Sequence, residues 1–199
     1  LEDSTPGSVV INEIFYNPPF SLGSDNDYEF LELHNPGGQD VDMSGYYFTQ
    51  GINYIFADAT TLAAGAYLVL TKNSTFYSGS IQWESGSLSN AGEDIEIVDA
   101  TGAVVDYVDY EDNSDGWPSS TDGGGPSLEL IDPSSDNSMA ESWQASWVLH
   151  GTPGSENSIE PTPINLSIQD IQFNSEDSTG SAYQDQYIET SGVVTVIDR

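Results

Sequence analysis

No window of this chain keeps apolar residues at a helical spacing for more than a turn or two, which excludes helical bundles and alternating α/β architectures. Short β-branched or aromatic runs recur instead, each closed within about ten residues by Gly, Asn, Asp or Pro. Residues 9–16 form the first run and must stop at Asn17-Pro18-Pro19, because proline cannot donate to a ladder. Residues 28–34 form the second, with Leu31 and Leu33 on one face and Phe30, Glu32 and His34 on the other. Residues 41–48 follow with a bend expected at Gly45, then shorter runs at 52–56, 61–62, 66–71 and 81–83. Residues 94–99 and 103–108, joined by Ala100-Thr101-Gly102, read as a hairpin, and 128–131 is one more strand. Strands this short and this evenly spaced predict an all-β sandwich or barrel. Its inner face should include Ile11, Leu31, Leu33, Leu68, Leu70, Ile95 and Ile97.

Charge narrows the partners. Thirty-three Asp and Glu stand against two basic residues, Lys72 and Arg199, a net charge of −31. A surface this acidic repels phosphates, so nucleic acid is not a direct partner, and anionic lipid is excluded on the same ground. No apolar run approaches the roughly 18 residues of a membrane span, so membrane insertion is not expected. A hydrophobic share of 37% is ample for a core. The absence of cysteine removes disulfides, thiolate zinc sites and cysteine nucleophiles. High acid with almost no lysine is the profile of proteins facing the cell exterior, so the expected location is extracellular or at the cell surface.

The character of the chain changes after Gly151-Thr152-Pro153-Gly154. Residues 158–163 are polar with two prolines and read as a linker between a first domain, 1–157, and a segment at 164–199. Two strand signals there, near 166–173 and 187–197, cannot close a core alone, so the segment reads as the start of a second domain. Unpaired edges make self-association through these C-terminal strands an expectation.

Several carboxylate clusters invite a metal. Asp25, Asp27 and Glu29 alternate with Asn26 and Tyr28 and could offer the oxygen ligands that Ca²⁺ takes; a solvated acidic loop is the plainer reading. Asp112 and Asp115 lie in Glu111-Asp112-Asn113-Ser114-Asp115-Gly116, which has the alternation of a Ca²⁺ loop but ends at Asp122, too short for the usual bidentate Glu. Ca²⁺ through these five residues is the one cofactor expected. Asp132 to Asn137 reads as Asx turns. Glu13 and Glu32 fall inside strands, where a buried carboxylate must be bonded. No base accompanies them, no Gly-x-Ser-x-Gly elbow occurs, and His34 and His150 read as surface or turn residues, so no catalytic residue is assigned. The four tryptophans could stack sugars or pack the core, and packing is commoner in such folds.

Six ordered segments carry a family resemblance. They are Ile11-Asn12-Glu13-Ile14 with Asn17-Pro18; Glu29 to Asn35; Asp42 to Phe48; Leu62 to Val69; Leu88 to Ile97; and Gly125 to Pro133, with Trp143 and Gly151-Thr152-Pro153-Gly154. Over residues 9–157 they resemble a bacterial lamin tail domain. That resemblance implies an immunoglobulin-like β-sandwich used as a non-catalytic interaction or targeting module of a larger secreted protein. Its partners would be neighbouring domains of the parent chain and a protein or cell surface. Residues 167–172, 181–183 and 190–195 are similar to the opening of an OB-fold-like domain that follows such modules in secreted nucleases. A carbohydrate-binding sandwich, or an accessory region of an extracellular nuclease or other hydrolase, are the other functions open at this point.

Overall fold

The computed structural model describes residues 8–158, 160, 164–165 and 188–189. The chain divides into two compact units, Leu1–Ile159 and Glu160–Arg199. In the first, the strands among the described residues are β1 (Val10–Phe15), β2 (Phe30–His34), β3 (Val41–Asp42), β4 (Tyr47–Gln50), β5 (Thr61–Leu62), β6 (Tyr67–Thr71), β7 (Ile81–Gln82), β8 (Glu93–Val98), β9 (Val104–Tyr110), β10 (Leu128–Leu130) and β11 (Trp143–Ala145). Helix is limited to one turn at Asp25–Tyr28 and two 3-10 turns, Ser119–Thr121 and Ala140–Ser142. The unit is a mostly β sandwich, as its alternation predicts.

The larger sheet has six strands in the order β11-β10-β1-β2-β6-β7; the smaller ones are β4-β8-β9 and β3-β5. The run at 41–48 is broken into β3 and β4 by Gly45, whose φ of +72° favours a residue without Cβ. β1 and β2 pair antiparallel, Ile11 opposite Leu33 and Ile14 opposite Leu31, with a bulge between Ile11 and Glu13. The bulge inserts Asn12 as an extra residue. That is why Ile11 and Ile14, three apart, both enter the core. They meet Leu31, Leu33, Leu70, Phe48, Ile95, Ile97 and Val108, all under a tenth exposed. Leu68 is half-buried and packs on this cluster.

The opposite face of the six-stranded sheet is not wet. Phe15, Phe30 and Val69 form a second cluster there with Leu22, Tyr28 and Tyr77. β2 is buried at all five positions, so His34, expected at the surface, is covered. Its ring stacks on Tyr67 at 4.2 Å, and Nδ1 bonds the Ala66 carbonyl at 3.1 Å. His150, read as a turn residue, has a φ of +72° and is half-buried.

In the second unit β12 (Ile164–Asn165) and β13 (Ile188–Glu189) pair in parallel. The remainder of the expected OB-fold-like segment, with its apolar Ile168, Ile171, Phe173, Tyr187, Val193, Val194 and Val196, lies outside the described residues.

Candidate functional site

Three carboxylates sit side by side under the second face. Glu13 on β1 lies opposite Glu32 on β2 and Glu129 on β10, so one row of acids crosses three adjacent strands. All three are fully buried, with no basic side chain against them. Like charges directly opposite one another on neighbouring strands are destabilising, and buried ones more so.

The oxygens of the row accept hydrogen bonds chiefly from residues 151–158, which run across it as a strap. Glu13 Oε1 accepts from the Thr152 backbone N–H at 2.9 Å and from Ser127 Oγ at 2.5 Å. Glu32 Oε2 accepts from the Gly154 N–H at 2.5 Å, and Oε1 from Asn12 Nδ2 at 2.8 Å. Glu129 accepts from Thr152 Oγ1 at 2.9 Å, and from the N–H and Oγ of Ser158 at 3.0 and 2.5 Å. Asn157 anchors the strap by donating to the Leu130 carbonyl at 2.9 Å, and its Oδ1 accepts from Asn12 Nδ2 at 2.8 Å. Gly151 must be glycine. Its φ is +77°, and a Cβ there would stand 1.9 Å from Glu13 Oε1.

Burial pushes Glu13 from its ordinary 4.5 up to about 8, against its hydrogen bonds and helped by the charges of Glu32 and Glu129. Burial likewise pushes Glu32 up to about 7. Groups near neutrality are the usual mark of acid–base catalysis. Here their oxygens accept from the chain's own donors and are closed to solvent.

The five residues expected to bind Ca²⁺ are placed differently from one another. Glu29 turns inward, 1% exposed, and accepts from the Leu88 N–H at 2.9 Å; burial pushes it up to about 7. Asp27 accepts from Asn73 Nδ2 at 3.0 Å, and Asp25 from Asn90 Nδ2 at 3.2 Å. Asp112 bonds the N–H of its neighbour Asn113 at 2.6 Å; Asp115 is exposed with a φ of +52°. Among the described residues no three His, Asp or Glu side chains converge where they could hold a metal ion. Asp132 and Asp136 do form Asx turns, bonding the N–H groups of Ser134 and Ser138 at 2.9 and 3.1 Å. Trp83, Trp117 and Trp143 are core residues, with Trp117 and Trp143 at 6.0 Å; Trp147 is 46% exposed.

The family pattern described as Lamin Tail Domain matches residues 2–112. This chain belongs to the lamin tail domain family. No curated protein matches the chain. The match takes in β1 to β9, whereas β10, β11 and the strap of this lamin tail domain lie beyond it and complete the sheet around β1.

A feature that sequence reading missed is a cleft of about 260 Å³ at the edge of the strap, lined by Tyr67, Val69, Phe76, Tyr77, Pro153 and Gly154. The clustering of Tyr67, Phe76 and Tyr77 was the available signal. Only the strap's path, set by the buried acids, brings Pro153 and Gly154 to them.

Proposed function

We propose that this lamin tail domain is a non-catalytic interaction module of a larger, extracellular or surface-exposed protein, fixing the place where the chain leaves toward its next unit. The observation that carries the reading is the use made of the buried acids. Glu13 and Glu32, raised toward neutrality, and their neighbour Glu129 spend their acceptors on residues 151–158, the stretch immediately before Glu160–Arg199. A sandwich that commits buried polar groups to its exit segment holds that segment in one place. Calcium enters this reading as a counter-ion of surface carboxylates, the half-buried Asp25, Asp27 and Asp112 and the exposed Asp115 among them, relieving repulsion rather than supplying chemistry. The test is turnover. Purified protein should hydrolyse no ester, glycoside or phosphodiester, and hydrolysis that Glu13→Gln or Glu32→Gln abolishes would overturn the reading.

A further inference from the structure

The cleft beside the strap has a composition that selects its ligand. Its walls are rings and small residues: Tyr67 from β6, Phe76 and Tyr77 from the loop after it, and Pro153 and Gly154 from the strap. The Tyr77 hydroxyl is already used, donating to the Tyr28 carbonyl at 2.7 Å, so Tyr77 offers its ring. Phe76 is 46% exposed and leans on Tyr28 at 4.3 Å. Tyr67 has one face taken by His34.

Glu156 puts a negative charge near the Tyr67 ring. Burial, then the charges of Glu156 and Glu32, push the Tyr67 hydroxyl up; burial, then Glu13, do the same to Tyr77. No basic residue lines the cleft, and Lys72, the one Lys or Arg among the described residues, is engaged by the Gly86 carbonyl and Ser87 Oγ. Aromatic faces carry negative quadrupole density, and the chain's net charge of −31 adds to it, so cations are favoured over anions. Of the biological cations, guanidinium is planar, weakly hydrated and stacks on rings. A volume of 260 Å³ admits one such side chain and little more.

We propose that this cleft receives the arginine side chain of a basic partner protein. The proposal deepens the interaction-module reading and rests on it; this chain is almost without basic residues, so the arginine comes from the partner. A single buried guanidinium gives weak affinity, and the partner's other contacts to the acidic surface supply the remainder.

The experiment is an amide-resonance titration of the full chain with acetyl-Gly-Arg-Gly-amide, and with its neutral citrulline counterpart, at about physiological ionic strength. Saturable shifts at Tyr77, Gly79 and Gly154 with the arginine peptide, absent with citrulline, are expected. Phe76→Leu and Tyr67→Leu keep apolar bulk and remove a ring, so each should weaken binding about two- to five-fold. Phe76 is exposed enough for its variant to fold, whatever Tyr67→Leu does to the His34 stack. Equal binding by citrulline overturns the proposal, as does an unchanged titration in Phe76→Leu, which would mean diffuse attraction only. Shifts of the same amides by methyl glucoside would make the cleft a sugar site instead, and no saturable shift would mean no arginine site. None of these outcomes bears on catalysis, so the turnover assay separates failure here from failure of the module reading.

Discussion

Glu13 shows how one buried residue sets the pH response of the unit. The folded protein holds a proton at Glu13 up to about pH 8, and at Glu32 and Glu29 up to about 7, whereas the unfolded chain releases each near the ordinary 4.5. Between those values the folded state binds more protons, so stability falls as pH rises, by at most about 1.4 kcal/mol per unit for each group. Repulsion among the remaining acids acts in the same direction. On the acid side, Asp42, Asp99, Asp132 and Asp136 are held below their ordinary 3.8 by hydrogen bonds from turn residues, chiefly Ser and Thr. Their contribution is present above 3.8 and lost as pH falls through the lowered values. Melting temperature should therefore peak between the two ordinary values and decline toward about pH 8. Glu13→Gln keeps an acceptor for Ser127 and Thr152 and should flatten that decline; a flat profile in the parent protein would contradict the buried-proton account. Gly151 offers a second residue test. Gly151→Ala adds a left-handed strain and a clash with Glu13, so a loss of about 2–4 kcal/mol in the denaturant midpoint is expected. Gly154→Ala is the control, since its φ is +84° but no atom lies within 4 Å of the added Cβ, and it should cost about 1 kcal/mol.

At the level of elements, strand positions and the core face were legible because period-two alternation and turn residues are local signals. Ile11, Leu31, Leu33, Leu70, Ile95 and Ile97 are inside as alternation requires. What alternation cannot report is the second face. Phe30, Glu32 and His34 read as the outer side of β2, and they are outer with respect to the core, yet Tyr77 covers Phe30, Tyr67 covers His34 and a strap about 120 residues downstream covers Glu32. The acids expected to gather around Ca²⁺ were chosen by spacing within loops, and spacing does not reveal that Glu29 turns inward to cap Leu88. Deleting Asn12, the extra residue of the bulge, leaves Ile11 and Ile14 two apart, so a regular ladder keeps both in the core with the same partners, and only the Glu32 and Asn157 bonds are lost. Asn12→Ala removes only the bonds. The deletion should therefore have a urea midpoint close to that of Asn12→Ala, and a midpoint well below it would mean that the bulge itself holds the sheet together.

For the whole molecule, self-repulsion at a net charge of −31 is the first-order term, so added NaCl should raise the melting temperature steadily. Variants at Asp25 and Asp27 should keep that gain, because screening acts on all exposed acids; its loss on changing these two would assign them a specific ion. The completeness of the unit is a sharper question. The family match ends at 112, but β10 supplies one neighbour of β1, β11 follows it, and residues 151–158 cover the acid row. A chain cut after Ile159 retains all of these and should melt close to the full chain. A chain cut after His150 keeps every strand of the sandwich but loses the donors from Thr152, Gly154, Asn157 and Ser158. Three neighbouring carboxylates would then face water and one another, and a loss of at least about 3 kcal/mol is expected, as when a buried charged network is broken. The shorter chain should also show a shallower pH decline, since rehydrated Glu13 and Glu32 regain ordinary proton affinity and no longer distinguish folded from unfolded chain. That second readout matters because simple fraying would lower stability without changing the slope. If the two truncations melt together and share one pH profile, the strap is an accessory and the buried row is stabilised by the sheet alone.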